Sequence, residues 1–253
     1  MDIHKPKPWH GVREFLKEYL IIVVGVLSAL GAEAVVQAID WQRRVADAER
    51  DLRGDLADDA RIAFERMAQR ECTLQQIEAR QAALVKNRDE GAPVPTFPRF
   101  FFGVRILSYE TWQNARALQL TGHIPTDRLR TYGRAFHIVE NLHDEQTDVQ
   151  AILPALNTMS VNGGQISATE RDRLFLALQG MDYAARRMHG TSLRFLEAAK
   201  EVGVAVSAAD KARILKSLSD PSMAGPCVKD PTPMIERDTR GADWFLNPRL
   251  GKQ

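Results

Sequence analysis

Between Tyr19 and Ile39 the chain is apolar at nearly every position, reading YLIIVVGVLSALGAEAVVQAI, with Glu33 and Gln37 as its strongly polar exceptions. A helix crosses a bilayer core with about 20 predominantly apolar residues, so the run predicts a transmembrane helix over 19–39. Trp41 follows one end, and Trp9 and Tyr19 precede or mark the other. Such rings favour the membrane–water interface because each joins an apolar body to a polar handle. Two readings compete. The core helix of a globular domain normally keeps a polar stripe, whereas this run is apolar almost all round. A secretory signal segment would use Ala32-Glu33-Ala34 as a small-x-small cleavage site and leave an exported soluble protein. Against cleavage, apolar character resumes at once in Ala34-Val35-Val36, and only Gly31 interrupts the helical pattern just before the site.

Past the span the pattern becomes amphipathic. From Asp40 to about Lys86 there is no proline and a single glycine, Gly54. Ala63, Met67, Leu74, Ile77 and Leu84 recur at helical steps, with Arg70 and Gln81 as polar interruptions. This predicts that the membrane helix continues as a coiled-coil-like stalk over 40–88. The charge-rich stretch AERDLRGDLADDAR within it reads as a solvated face.

The remainder alternates helical segments with turn signals. Asp89 to Pro98 holds Gly91, Pro93, Pro95 and Pro98 and predicts a loop, which Phe100-Phe101-Phe102 pins to the core. A helix capped by Ser108 is expected through Trp112 to Leu120, stopped by Thr121-Gly122. Another opens at Pro125-Thr126-Asp127 and runs towards Leu153, where Pro154 breaks or kinks it. After the Asn162-Gly163-Gly164 turn, Ser167-Ala168-Thr169-Glu170 reads as a capping box. The long helix behind it ends near Glu201 with Gly203, and a second box at Ser207–Asp210 starts a short helix to about Leu218. The proline- and glycine-rich segment 221–253 predicts an extended or disordered tail. No strand alternation is sustained. The expected fold class is therefore all-α: a basic N-terminal tail (1–18), the span (19–39), the stalk (40–88), an antiparallel helical bundle (89–220) and the tail (221–253). Its expected core includes Leu74, Ile77, Trp112, Leu118, Phe136, Val139, Leu174, Leu178, Leu193 and Leu196.

Charge and cysteine content narrow the partners. The 34 Lys and Arg against 33 Asp and Glu give a net charge of +1, without the basic excess of a nucleic-acid-binding module. The 2 cysteines, Cys72 and Cys227, have no zinc-site spacing. They read either as a disulfide tying the tail in an oxidising compartment or as two unrelated thiols. Lys5, Lys7, Arg13 and Lys17 before the span are matched by Arg43, Arg44, Arg50 and Arg53 after it, so the positive-inside rule barely decides orientation. The α-amine on the short tail, and the tolerance of large C-terminal domains for translocation, favour a cytoplasmic N-terminus.

Candidate chemistry is sparse. Gly25, Ala29, Glu33 and Gln37 recur every four residues and share one stripe of the span. Small residues let helices approach closely and intramembrane polar groups seek partners, so the stripe predicts a self-association face. The alternatives are that Glu33 reaches headgroup water, or that it carries protons. Glu140-Asn141-Leu142-His143, with His137 one turn earlier, fits the E-x-x-H spacing of di-iron bundles. Such a site needs a second E-x-x-H and further carboxylates, and no second copy exists, so no metal is assigned. His123 is expected in a loop and His189, beside Arg186 and Arg187, on the surface. Phosphate-loop, dinucleotide and nucleophile-elbow motifs are absent, and no cofactor is implied.

Two stretches together carry a resemblance: EYLIIVVGVLSALGAEAVVQAIDWQRR, passing directly into a charged helix, and SYETWQNARALQLTGHIPTDRLRTYGRAFHIVENL. In this order they resemble a group of uncharacterised bacterial single-span proteins with a helical outer domain. The resemblance implies an uncleaved anchor and a bacterial envelope location, and no catalytic residue carries over. Spans in that group are commonly apolar or amide-bearing, so Glu33 is a departure. The function expected first is a membrane-anchored scaffold that engages an envelope protein. A ligand-sensing bundle is second; with about 18 residues before the span, its output would pass through another protein. A helical enzyme, metal-dependent through His137, Glu140 and His143, is third.

Overall fold

A computed structural model of the chain describes residues 11–100, 102–161, 163–220 and 227–238. Lys5, Lys7, Trp9, Phe101, Asn162 and the ends of the expected tail, 221–226 and 239–253, lie outside the described residues. Every regular element among the described residues is helical. A lone antiparallel bridge between Val94 and Gly164 is the nearest approach to a sheet.

Helix α1 runs unbroken from Val12 to Ala68. It starts before Tyr19, passes through the whole apolar run, and continues into the charged segment. The chain divides into two compact units between Glu49 and Arg50. Of the described residues in the first, all beyond Gly11 belong to α1, and its 18-residue apolar window has no buried residue.

The second unit begins with the last third of α1. Leu52, Leu56, Ala60, Ala63 and Phe64 are fully buried there. A one-residue interruption at Gln69, still in the right-handed helical region, separates α1 from α2, Arg70–Glu90. The expected 40–88 stalk is thus divided between α1 and α2, and from Leu52 on its apolar stripe packs against other helices of the same unit, as expected of a stalk within a bundle. Within the charge-rich stretch Asp59 is fully buried, which corrects the reading of that stretch as a solvated face. Helix α2 ends at Gly91, whose φ of 65° suits a residue without a Cβ.

Helix α3 (Glu110–Ala117) begins without a side-chain cap, since Tyr109 rather than the expected Ser108 stands at its N-cap; the Ser108 N–H donates to Asp59 Oδ1 at 3.0 Å. The segment after it turns at Gln119, which adopts φ 58°. Leu118 consequently faces outward at 66% exposure and is not the core residue expected. Trp112 stacks on Phe136 with ring centres 5.4 Å apart. Helix α4 (Thr126–Asn157) carries Pro154 inside it and continues one turn beyond the expected stop. Proline removes the bond to the carbonyl four residues back, here that of Gln150, which is exposed and open to water.

Helix α5 (Ala168–Glu201) is capped by Ser167, whose hydroxyl accepts from the Glu170 N–H at 3.1 Å. The other half of the expected box is replaced: the Glu170 carboxylate lies 3.6 Å from Arg173. Helix α6 (Ala208–Leu218) is capped in the same way by Ser207. A last helix, α7 (Thr232–Asp238), buries Ile235. Residues 227–238 are thus not an extended tail: they dock through an apolar side chain and a covalent link to α2 described below.

The pairing of the long helices gives the bundle its directions. Glu145 meets Thr191, Asp148 meets Arg187 and Arg134 meets Glu201, so α4 and α5 are antiparallel. Arg53 meets Tyr132 and Arg66 meets Gln146, so α1 and α4 run parallel and both oppose α5. One core cluster fills the space between them, including Phe64, Ile77, Phe136, Leu178 and Phe195.

Candidate functional site

Polar groups interrupt the long apolar segment of α1, and others lie inside the bundle. In the apolar segment, Gly25, Ala29, Glu33 and Gln37 line one helical face. Gln37 Nε2 donates to Glu33 Oε1 at 3.2 Å, so the amide and carboxyl satisfy each other in part along the helix. Glu33 lies 8 residues before Trp41, about 12 Å along the axis at the helical rise. A Cβ placed on Gly25 would meet nothing within 4 Å, which leaves that face open to another helix or to lipid. The Arg44 guanidinium covers the Trp41 ring at 5.7 Å.

The bundle interior holds a polar layer. Gln146, on α4, is its hub. Its Oε1 accepts from the Arg105 N–H at 3.0 Å and from Arg66 Nη2 at 2.7 Å. Its Nε2 donates to the Arg105 carbonyl at 2.8 Å. One side-chain amide therefore satisfies both backbone groups of Arg105 as a neighbouring strand would. The Arg105 side chain forks onto Glu65 at 2.6 and 3.1 Å. The extended segment 103–109 is thereby strapped to α1 at two carboxylates, Glu65 and Asp59, and to α4 at Gln146.

Two arginines line the loop aromatics. Arg66 stacks on Phe102 at 4.3 Å, and Arg80 packs between Phe97 and Phe100 at 4.8 and 5.0 Å. Arg80 also donates to the Gln76 and Pro98 carbonyls. Burial lowers Arg66 to about 10, opposed by Glu65 and aided by Arg105; it remains a cation at neutral pH.

Asp59 and His189 are the strongly perturbed groups. Burial raises Asp59 to about 7, against the Ser108 N–H bond that lowers it, and Asp55 raises it further. Burial likewise lowers His189 to about 3, with Arg70, Arg66 and Arg186 adding positive charge nearby. His189 is 4% exposed. Its expected surface position is thus corrected: it projects from α5 into the bundle beside these arginines. Glu145, held by Thr191 at 2.9 Å and Arg187 at 3.4 Å, is also raised by burial.

The candidate metal residues do not converge. His137 and Glu140 are 3.8 Å apart on a solvent-facing side of α4. His143 turns to Tyr109, edge to face at 5.5 Å. Among the described residues no group of three His, Cys, Asp or Glu side chains is arranged to hold a metal ion. His123 ends a short 3-10 turn, Leu120–His123.

Cys72 and Cys227 are joined by a disulfide. It holds the 227–238 segment against the α1–α2 junction, where the Lys229 N–H donates to the Ala68 carbonyl at 3.2 Å. That carbonyl is accessible to an outside donor because the helix is interrupted at Gln69.

Sequence reasoning missed the polar layer. The signal for it was present: Leu52, Leu56, Asp59, Ala63 and Arg66 follow alternating steps of four and three, and Leu142, Glu145, Gln146 and Val149 share one face of α4. Polar residues at core positions of an apolar stripe mark a buried network. Comparison of the chain with family models, curated proteins and solved structures finds no match.

Proposed function

We propose that this protein is a single-span scaffold of a bacterial inner membrane, anchored by the N-terminal half of α1, with its helical unit on the periplasmic side. The observation that carries the reading is a long apolar helical segment with no protein cover. Ile21, Ile22 and Val36 are 69%, 64% and 65% exposed. In water such a surface is costly, at about 25 cal/mol per Å² of apolar area, whereas lipid tails cover it without cost. Tyr19 and Trp41 are separated by 22 positions, about 33 Å along a helix, close to the thickness of a hydrocarbon core. The continuous helix through Ala32-Glu33-Ala34 supports an anchor over a cleaved signal. The Cys72–Cys227 bond supports an oxidising environment for the second unit, and hence the cytoplasmic N-terminus.

The scaffold reading also rests on the small space inside the bundle. The void beside Gln146 has a volume of about 10 Å³, far below the few hundred Å³ of a small-molecule site, and the larger hollows beside Pro154 and Arg213, about 680 and 370 Å³, are open surface grooves. The proposed contacts are lipid, a second copy through the Gly25–Ala29–Glu33–Gln37 stripe, and an envelope protein through the helical unit. The test is membrane fractionation of bacteria expressing the full chain. Retention in the pellet after an alkaline wash, with a C-terminal reporter active only outside the cytoplasm, is the expected result. Recovery in the supernatant, or a mature chain beginning at Val35, overturns the anchor. Crosslinking in cells followed by purification in mild detergent tests the scaffold; a partner-free monomer overturns it.

A further inference from the structure

The small void in the polar layer has an occupant defined by its lining. It lies between α1, α4, α5 and the 103–109 strap, and Ala63, Arg66, Leu107, Gln146, Met188 and Ser192 are among the side chains around it. Two of these carry buried polar atoms without a hydrogen-bond partner in the protein: Arg66 Nη1 and Ser192 Oγ. Arg66 is 4% exposed and Ser192 0%. A purely apolar void of this size stays dry, but a roomy enough polar one holds water where two or more groups can bond it. About 10 Å³ is open to the centre of a water-sized sphere, which is room for a water molecule.

We infer that this void is a binding site for one ordered water molecule, which accepts a hydrogen bond from Arg66 Nη1 and exchanges one with the Ser192 hydroxyl. So little room for a water-sized centre favours one water over phosphate or a carboxylate ligand. A halide is the other species that a buried guanidinium could draw in. Arg66 has less need of one, because its charge already meets the Gln146 oxygen at 2.7 Å and the face of Phe102 at 4.3 Å. The water has a structural consequence. Gln146 ties α1 to α4 and to the strap; the water ties α1 to α5 through Ser192. Together they close the polar layer around all three long helices and leave Arg66 with its donors satisfied. A cation buried without such partners is costly.

The experiment is water-selected NMR on the full chain in detergent micelles, with methyl labels on Ala63, Leu107 and Met188. These methyls do not exchange protons with solvent, so a dipolar cross-peak to water reports a resident molecule. We expect cross-peaks whose NOE and ROE have opposite signs, the signature of a long-lived water. They should be lost in Ser192→Val, which removes the hydroxyl and adds bulk at the void. Ser192→Thr, which keeps the hydroxyl and adds one methyl, should lose them too and serves if Ser192→Val does not fold. Absent cross-peaks in the natural chain overturn the site, as do cross-peaks unchanged in the folded variants. A shift of the Arg66 guanidinium resonances when chloride is replaced by a bulky anion overturns water in favour of a halide.

Discussion

The side chain of Gln146 and the backbone of Arg105 form a two-bond pair, 3.0 Å from N–H to Oε1 and 2.8 Å from Nε2 to the carbonyl. The same oxygen receives Arg66. Removing the amide leaves a buried guanidinium and two strap groups short of partners. Gln146→Leu should therefore destabilise the helical unit by about 3 kcal/mol, since orphaned buried polar groups cost roughly 1–3 kcal/mol each and some strap groups can reach water. Urea unfolding of the full chain in detergent measures this. Hydrogen exchange adds a local readout: the Arg105 amide should lose its protection before the α4 amides do.

Asp59 and His189 give opposed pH dependences. Asp59 rises from 3.8 to about 7 on folding, so the folded chain holds a proton that the unfolded chain has released. Its contribution is full below pH 3.8 and disappears as pH rises through about 7. His189 falls from 6.5 to about 3, so its contribution is present above 6.5 and disappears as pH falls through about 3. Between these limits each slope approaches about 1.4 kcal/mol per pH unit, with opposite sign. The natural chain should therefore show nearly flat stability from pH 4 to 6, as far as these two groups govern it. Asp59→Asn should make stability rise with pH over that window, and His189→Gln should make it fall. Identical pH profiles for the two variants would count against both assignments.

The disulfide closes a separation of 155 residues in sequence. Cross-links of native domains typically contribute about 2–5 kcal/mol, through a mechanism that depends on the model of the unfolded chain. Cys227→Ser should lower the melting temperature of the full chain, and thiol reductant should lower that of the natural chain but not of the variant. Limited proteolysis should then cut within 227–238 first, because those residues lose their covalent hold and keep only the Lys229–Ala68 bond and the packing of Met234 and Ile235.

Two glycines should respond in opposite directions to alanine. A Cβ on Gly163 would lie 2.6 Å from Thr96 Oγ1 and 3.2 Å from the Thr96 backbone nitrogen. Gly163→Ala must therefore push the 94–96 segment away from the Val94–Gly164 bridge, at a cost of about 1–3 kcal/mol. A Cβ on Gly133, within α4, would meet the Trp112 ring at 3.7 Å, an ordinary contact. Gly133→Ala should stabilise by up to about 1 kcal/mol from helix propensity. Paired thermal melts distinguish the two.

Glu33 sits in the apolar segment of α1 with Gln37 as its hydrogen-bonding neighbour on the same helix. If the stripe assembles copies of the chain, Glu33→Leu should weaken self-association in a membrane reporter assay while leaving membrane insertion intact. Association equal to that of the natural chain removes the stripe from the proposal.

Several elements were legible without coordinates because their causes are local. The apolar run from Tyr19 to Ile39 and the absence of proline through Lys86 specify a long helix. Ser167 and Ser207 cap helices through bonds to residues three positions on, and Gly203, at φ 79°, follows α5 as expected. Failures arose where the chain departs from its local signal. Ser108 is not a cap because α3 starts one residue later, behind Tyr109, and Leu118 is exposed because Gln119 turns the chain. Within 227–238 the chain forms a helix, Thr232–Asp238, that a proline-rich composition does not announce, since a disulfide and Ile235 hold it.

The sequence by itself determined the helical class, the apolar span and the steps along which each helix buries one face, since these depend on neighbours within a turn or two. The tertiary structure decided which polar residues on those faces go inside. Asp59, Arg66 and Gln146 share their stripes with apolar residues, yet a stripe does not name the partner each polar group needs, and His189 stands beside Arg186 and Arg187, which read as surface. What makes them tolerable is a partner or a shifted charge state supplied from across the bundle, as Arg105 supplies it for Gln146 from the strap between α2 and α3.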